Sequence, residues 1–132
     1  MLFKAITTQI EALDTDSISL LRKDSVQSLI NYIKHKADYD KPIQLNFICT
    51  HNSRRSHLSQ VWAQALALYF DINHVYCYSG GTETTALYPA TAKALESSGF
   101  KIESQAQGIN PWYRIKYAEN QAAIMGFSKT SE

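Results

Sequence analysis

Apolar residues recur at helical spacing through the first third of the chain. Phe3, Ile6, Ile10 and Leu13 form one stripe, and Leu21, Val26, Leu29, Ile30 and Ile33 form a second. The polar run Asp14-Thr15-Asp16-Ser17 between them is suited to ending one helix and capping the next, and Asp38 to Pro42 is suited to stopping the second. Two amphipathic helices are therefore expected over residues 1–41, as a helical cover for one face of the core or as a dimerisation surface. The period changes at Ile43-Gln44-Leu45-Asn46-Phe47-Ile48, which alternates and then runs apolar like a strand buried on at least one face. A polar loop follows, from Cys49 to Ser56. Leu58, Val61, Trp62, Ala65, Leu66 and Tyr69 then return to helical spacing. Beyond the turn at Asp71 and Asn73, residues 74–79 carry the β-branched and aromatic content of a second strand, closed by Gly80-Gly81. Strand, helix and strand in this order make a parallel crossover the default.

Pro89 suits a first helical position and Gly99 a stop, which predicts a helix over 89–98. From Phe100 to Pro111 the pattern loosens. Trp112 to Tyr117 and Ala123 to Ser128, separated by Glu119-Asn120-Gln121, predict an aromatic-rich β-hairpin. Trp112, Tyr113, Tyr117 and Phe127 are expected to pack rather than to stack on bases. The fold class expected is α/β, a short parallel sheet flanked by helices. It divides into an N-terminal helical extension (1–41) and an α/β domain (42–132) forming one compact unit.

Composition narrows the function. The 132 residues carry 13 Lys and Arg against 12 Asp and Glu, so there is no excess of positive charge for a polyanion and no nucleic-acid partner is expected. Lys4, Glu11, Asp14 and Asp16 interrupt the first twenty residues, and no segment approaches a membrane span, which points to a cytoplasmic protein without a membrane partner. Two cysteines and four histidines without ligand spacing give no metal site and no cofactor, and they fit a reducing compartment.

The candidate chemistry lies in the loop. A thiol where a strand ends and a helix begins faces unpaired backbone N–H groups and the positive end of the helix dipole, and both favour thiolate at Cys49. Thr50, His51, Asn52, Ser53 and Arg54 surround it with small polar and cationic groups, a ready anion site. Arg55 lies six positions after Cys49 and can carry its guanidinium fork back across the mouth to hold two oxygens of a tetrahedral anion. Ser56 can donate its hydroxyl to the sulfur, and Asn52 tolerates unusual backbone angles and can brace the loop.

At these residues the chain resembles the low-molecular-weight protein tyrosine phosphatases and the related thioredoxin-coupled arsenate reductases. The core CTHNSRRS at 49–56 carries most of the likeness. It extends through Tyr78-Ser79-Gly80-Gly81-Thr82-Glu83 and the Pro89 helix to Gly99-Phe100, with specific matches over somewhat under half of the chain. The resemblance implies a thiophosphate intermediate on Cys49, oxygen binding by Arg55, and loop shaping by Ser56 and Asn52. Its implied substrate is a phosphorylated protein or small aryl phosphate, or arsenate with a thiol reductant. A non-catalytic oxyanion-binding or assembly module is the third reading.

Two parts of the family pattern are missing. There is no Asp-Pro to supply the general acid, and Glu83 is the nearest substitute. Arsenate reduction needs a resolving thiol, and the one other cysteine, Cys77, falls inside the second strand, where a buried structural role is expected; an external thiol could replace it. A homodimer would be one way to cover so small a core.

Overall fold

The computed structural model describes residues 1–104 and 108–131; positions 105–107, within the stretch expected to be irregular, and Glu132 lie outside the described residues. The elements in chain order are α1 (Lys4–Glu11), a 3₁₀ turn (Thr15–Ser17), α2 (Leu20–Ser25), α3 (Gln27–Asp38), β1 (Ile43–Cys49), α4 (Arg55–Tyr69), β2 (Val75–Gly81), α5 (Pro89–Ser97), β3 (Lys101–Ser104), β4 (Tyr113–Lys116) and β5 (Ile124–Gly126). The protein is α/β. β1 and β2 pair in parallel from Ile43↔Val75 to Cys49↔Gly81, and β3, β4 and β5 form a separate antiparallel sheet in that order.

The expected hairpin is β4–β5. It gains a third strand, β3, where the sequence pattern only loosened. Four residues, of which only Ile102 is partly buried, are too short and too polar for a period-2 signal to emerge. Gly99 turns the chain from α5 into β3 with φ +112°, a conformation open to glycine, and a Cβ there would meet the Ala5 Cβ at 2.7 Å.

The second of the two expected N-terminal helices is in fact two helices. α2 opens with the Ser19 hydroxyl capping the Arg22 N–H at 3.2 Å and ends at Ser25, whose hydroxyl bonds back to the Arg22 carbonyl at 2.8 Å. Such a local side-chain bond competes with helix continuation. Neither α2 nor α3 buries a residue, whereas α1 buries Ile6 and Ile10. Leu2, Ile6 and Ile10 pack with Val61, Ala65, Leu95, Phe100, Ile115 and Tyr117 in the main core, where the Trp62 ring meets Phe100 edge-on. The Phe3 N–H donates to the Tyr117 carbonyl at 3.0 Å, tying the N-terminus to the end of β4.

A two-stranded sheet has two open edges, and side chains occupy part of each. On the β2 edge the Gln64 amide accepts from the Cys77 N–H and donates to the Val75 carbonyl, and Gln60 Nε2 donates to the Cys77 carbonyl. On the β1 edge the Tyr32 hydroxyl of α3 accepts from the Gln44 N–H at 3.3 Å. The chain end closes the site-bearing end of the sheet: Gly81 N–H donates to the Lys129 carbonyl, and Ser131 N–H to the Gly81 carbonyl. Among the described residues no helix is long and apolar enough to cross a membrane.

Candidate functional site

The loop from Cys49 to Arg54 joins the end of β1 to the start of α4, and its carbonyls are tied outward. The Thr50 carbonyl accepts from the backbone N–H groups of Thr82 (2.9 Å) and Glu83 (3.0 Å). The His51 carbonyl accepts from the Ser128 hydroxyl at 2.7 Å. The Ser53 carbonyl accepts from the Tyr88 N–H at 3.0 Å and the Thr91 hydroxyl at 3.1 Å. With the carbonyls held outward, the amides of Asn52, Ser53 and Ser56 are left to face the Cys49 sulfur. Asn52 makes the bend at φ +48° and is fully buried. Gly81 lets the loop cross the end of β2, since a Cβ there would stand 2.7 Å from the Thr50 carbonyl oxygen and 2.8 Å from the Asn52 nitrogen.

A chain of hydrogen bonds ends on the thiol. Lys129 presents its backbone N–H (3.0 Å) and its ammonium (3.2 Å) to Asn52 Oδ1, which fixes the orientation of that amide. Asn52 Nδ2 then donates to Ser56 Oγ at 2.8 Å. The serine oxygen is thereby an acceptor from asparagine, and its own hydrogen is directed to Cys49 Sγ, 3.1 Å away. Burial, the largest single influence on this thiol, raises its pKa. The Ser56 hydroxyl and the amides of Ser56, Ser53 and Asn52 together outweigh it and hold the thiol down at about 7. Cys77 behaves oppositely: buried within β2, its thiol is pushed up to about 11.

The sulfur opens into a pocket of about 250 Å³ lined by Cys49, His51, Ser53, Arg54, Arg55, Thr85 and Tyr88. The side chain of Arg55, the first residue of α4, has no hydrogen-bond or ion-pair partner among the described residues, so its guanidinium is free to take a ligand. The neighbouring Arg54 guanidinium lies over the Tyr88 ring, 5.1 Å from its centroid, and forms one wall. Thr50 does not line the pocket; its carbonyl anchors the loop. Glu83 is also absent from the lining. Its carboxylate sits 3.0 Å from His51 Nδ1, with both side chains about half exposed (58% and 49%). Among the described residues no group of three or more His, Cys, Asp and Glu could hold a metal ion.

Several supporting residues lie outside the candidate loop that the sequence displays. Lys129, Ser128, His57 and Ser79 lie at the back of the loop, with the Lys129 ammonium 3.1 Å from Ser79 Oγ and 3.3 Å from the Phe127 carbonyl. His57 is buried, and its Nε2 lies 3.0 Å from the Phe127 carbonyl, so Nε2 carries the hydrogen and Nδ1 faces Ser79 Oγ at 3.5 Å. Burial and the adjacent Lys129 charge push this imidazole down to about 4, against hydrogen bonds to the backbone at Phe127 and Asn52. The lysine follows the hairpin by only three residues, and nothing in its local pattern separates it from a solvated one.

No family model, curated protein or solved structure matches the chain.

Proposed function

We propose that the protein is a cysteine-dependent phosphatase of the low-molecular-weight tyrosine phosphatase type. It hydrolyses phosphotyrosine or a similar aryl phosphate through a thiophosphate on Cys49. The observation that carries this reading is the convergence on one sulfur of three loop amides and a serine hydroxyl, with the Arg55 guanidinium, unpartnered among the described residues, on the same pocket wall. That arrangement makes a nucleophile near neutral pH and supplies donors for the equatorial oxygens of a transferring phosphoryl group. Tyr88 on the wall sets an aromatic side chain beside the place of an aryl leaving group.

Arsenate is a tetrahedral anion that the same donors would hold. Its reduction through an internal disulfide is disfavoured by Cys77, which is buried in a strand with its thiol pushed up to about 11, so such a cycle would depend on an external thiol.

The test is steady-state hydrolysis of an aryl phosphate by wild type, Cys49→Ser and Arg55→Lys. Wild type is expected to turn over, Cys49→Ser to be inactive, and Arg55→Lys to fall by roughly 100-fold, because a point charge replaces a fork. Turnover unaffected by Cys49→Ser, or none in wild type, removes the reading.

A further inference from the structure

A departing phenol leaves as a stable neutral molecule only if a proton reaches its oxygen during bond cleavage. The pocket wall offers few sources. Guanidinium groups do not release protons, the aliphatic hydroxyls of Ser53 and Thr85 are not proton donors of this kind, and a phenol on the wall would hand its proton to another phenol without driving force. The Cys49 sulfur is the nucleophile. His51 remains, the imidazole on the pocket wall, and imidazole is the side chain that most often serves as general acid and base.

The geometry points to His51 as the catalytic proton donor to the leaving oxygen, with Glu83 as the positioning residue that holds its ring; this rests on the phosphatase reading above. His51 lines the pocket two residues after the nucleophile. Glu83 Oε1 lies 3.0 Å from Nδ1, so the carboxylate accepts that N–H, and Nε2, which has no partner among the described residues, is the position from which a proton leaves. Both members are anchored to the loop itself. The His51 carbonyl accepts from the Ser128 hydroxyl, and the Glu83 N–H donates to the Thr50 carbonyl at 3.0 Å. Half exposure leaves the ring in contact with water, which the second half-reaction requires.

The steps balance. In the first, the Cys49 thiolate forms the S–P bond, the P–O bond to the aryl group breaks, and the aryl oxygen takes the Nε2 proton, leaving a neutral imidazole. In the second, that imidazole accepts a proton from the attacking water as the new P–O bond forms and the S–P bond breaks. Hydrogen phosphate, thiolate and imidazolium result.

The experiment compares phenyl phosphate, whose leaving group needs the proton, with 2,4-dinitrophenyl phosphate, whose leaving group does not, on the full chain. His51→Gln is expected to lower kcat/KM on phenyl phosphate by roughly 100-fold and on the dinitrophenyl ester by no more than about threefold. Glu83→Gln is expected to show the same contrast at about a tenfold loss, because the imidazole remains but is less well held. Equal losses on both esters, or no loss on phenyl phosphate, overturn the assignment of His51 while leaving the phosphatase standing. If wild type hydrolyses neither ester and the dinitrophenyl ester leaves no phosphate on Cys49 by mass spectrometry, the phosphatase reading itself fails and the assignment falls with it.

Discussion

At the scale of single residues, reactivity at Cys49 is decided by competition between burial and hydrogen bonding, and Ser56 is the side chain on the favourable side. Hydrogen bonds to a charged group contribute about 1.5–3 kcal/mol, equivalent to one or two pKa units. Ser56→Ala removes the hydroxyl and strands the Asn52 Nδ2 hydrogen in a buried setting. The thiolate is then stabilised by amides alone. The pH midpoint of alkylation of Cys49 by iodoacetamide should rise by at least about one unit from its value near 7. An unchanged midpoint would mean that the amides suffice and that the serine hydroxyl acts elsewhere. Cys77, buried and shifted the other way, should remain unlabelled in the folded protein across the same range.

At the scale of elements, the N-terminal helices differ in what they bury, and stability should follow that difference. Ile6 is fully buried in the core cluster that also holds Phe100 and Ile115, so Ile6→Ala leaves a cavity and should cost about 2–5 kcal/mol in denaturant unfolding. Leu29 of α3 is 39% exposed, and Leu29→Ala should cost less than about 1 kcal/mol. Comparable losses at the two positions would show that α3 covers apolar surface as α1 does. The same contrast shows what was legible beforehand. A helical stripe declares which face is apolar, and both regions have one, but it does not say whether another element lies against that face. β1, α4, β2, α5 and the β4–β5 hairpin were legible because a period is joined to a boundary signal, such as Pro89 at the start of α5 and Gly99 just past its end, although β2 runs on through the Gly80-Gly81 expected to close it. β3 was not, since its one partly buried residue leaves no period to read. In the site, the residues 49–56 form a contiguous run that the sequence displays. Lys129 and Ser128 reach the loop from far along the chain, through pairings no local pattern encodes.

At the scale of the whole molecule, the loop is held from behind by a buried cluster in which a lysine and a histidine share space, and this couples the site to folding stability. The Lys129 ammonium is pushed down to about 8 by burial, and it disfavours a second positive charge on His57. His57 therefore stays neutral when folded down to about pH 4, whereas the same imidazole in the unfolded chain protonates near its ordinary 6.5. Between these values the unfolded state binds the extra proton, so the folded state loses stability as pH falls from 6.5 towards 4, and the loss stops once the folded imidazole also protonates. The interval corresponds to a loss on the order of 3 kcal/mol from this one group. Lys129 acts higher up with the same slope: from about 8 to 10.5 the unfolded state holds the proton more tightly, so stability rises with pH across that window. His57→Gln removes the lower titration while keeping an amide that can donate to the Phe127 carbonyl. Urea unfolding of both proteins at intervals from pH 4 to 7 should show the wild type losing on the order of 3 kcal/mol more than the variant. Since the two proteins differ at this one side chain, the difference between the curves isolates the imidazole. Parallel curves would mean that the cluster takes up a proton by opening to water, and then the Lys129–Asn52–Ser56 relay behind the thiol would have to loosen at acid pH as well.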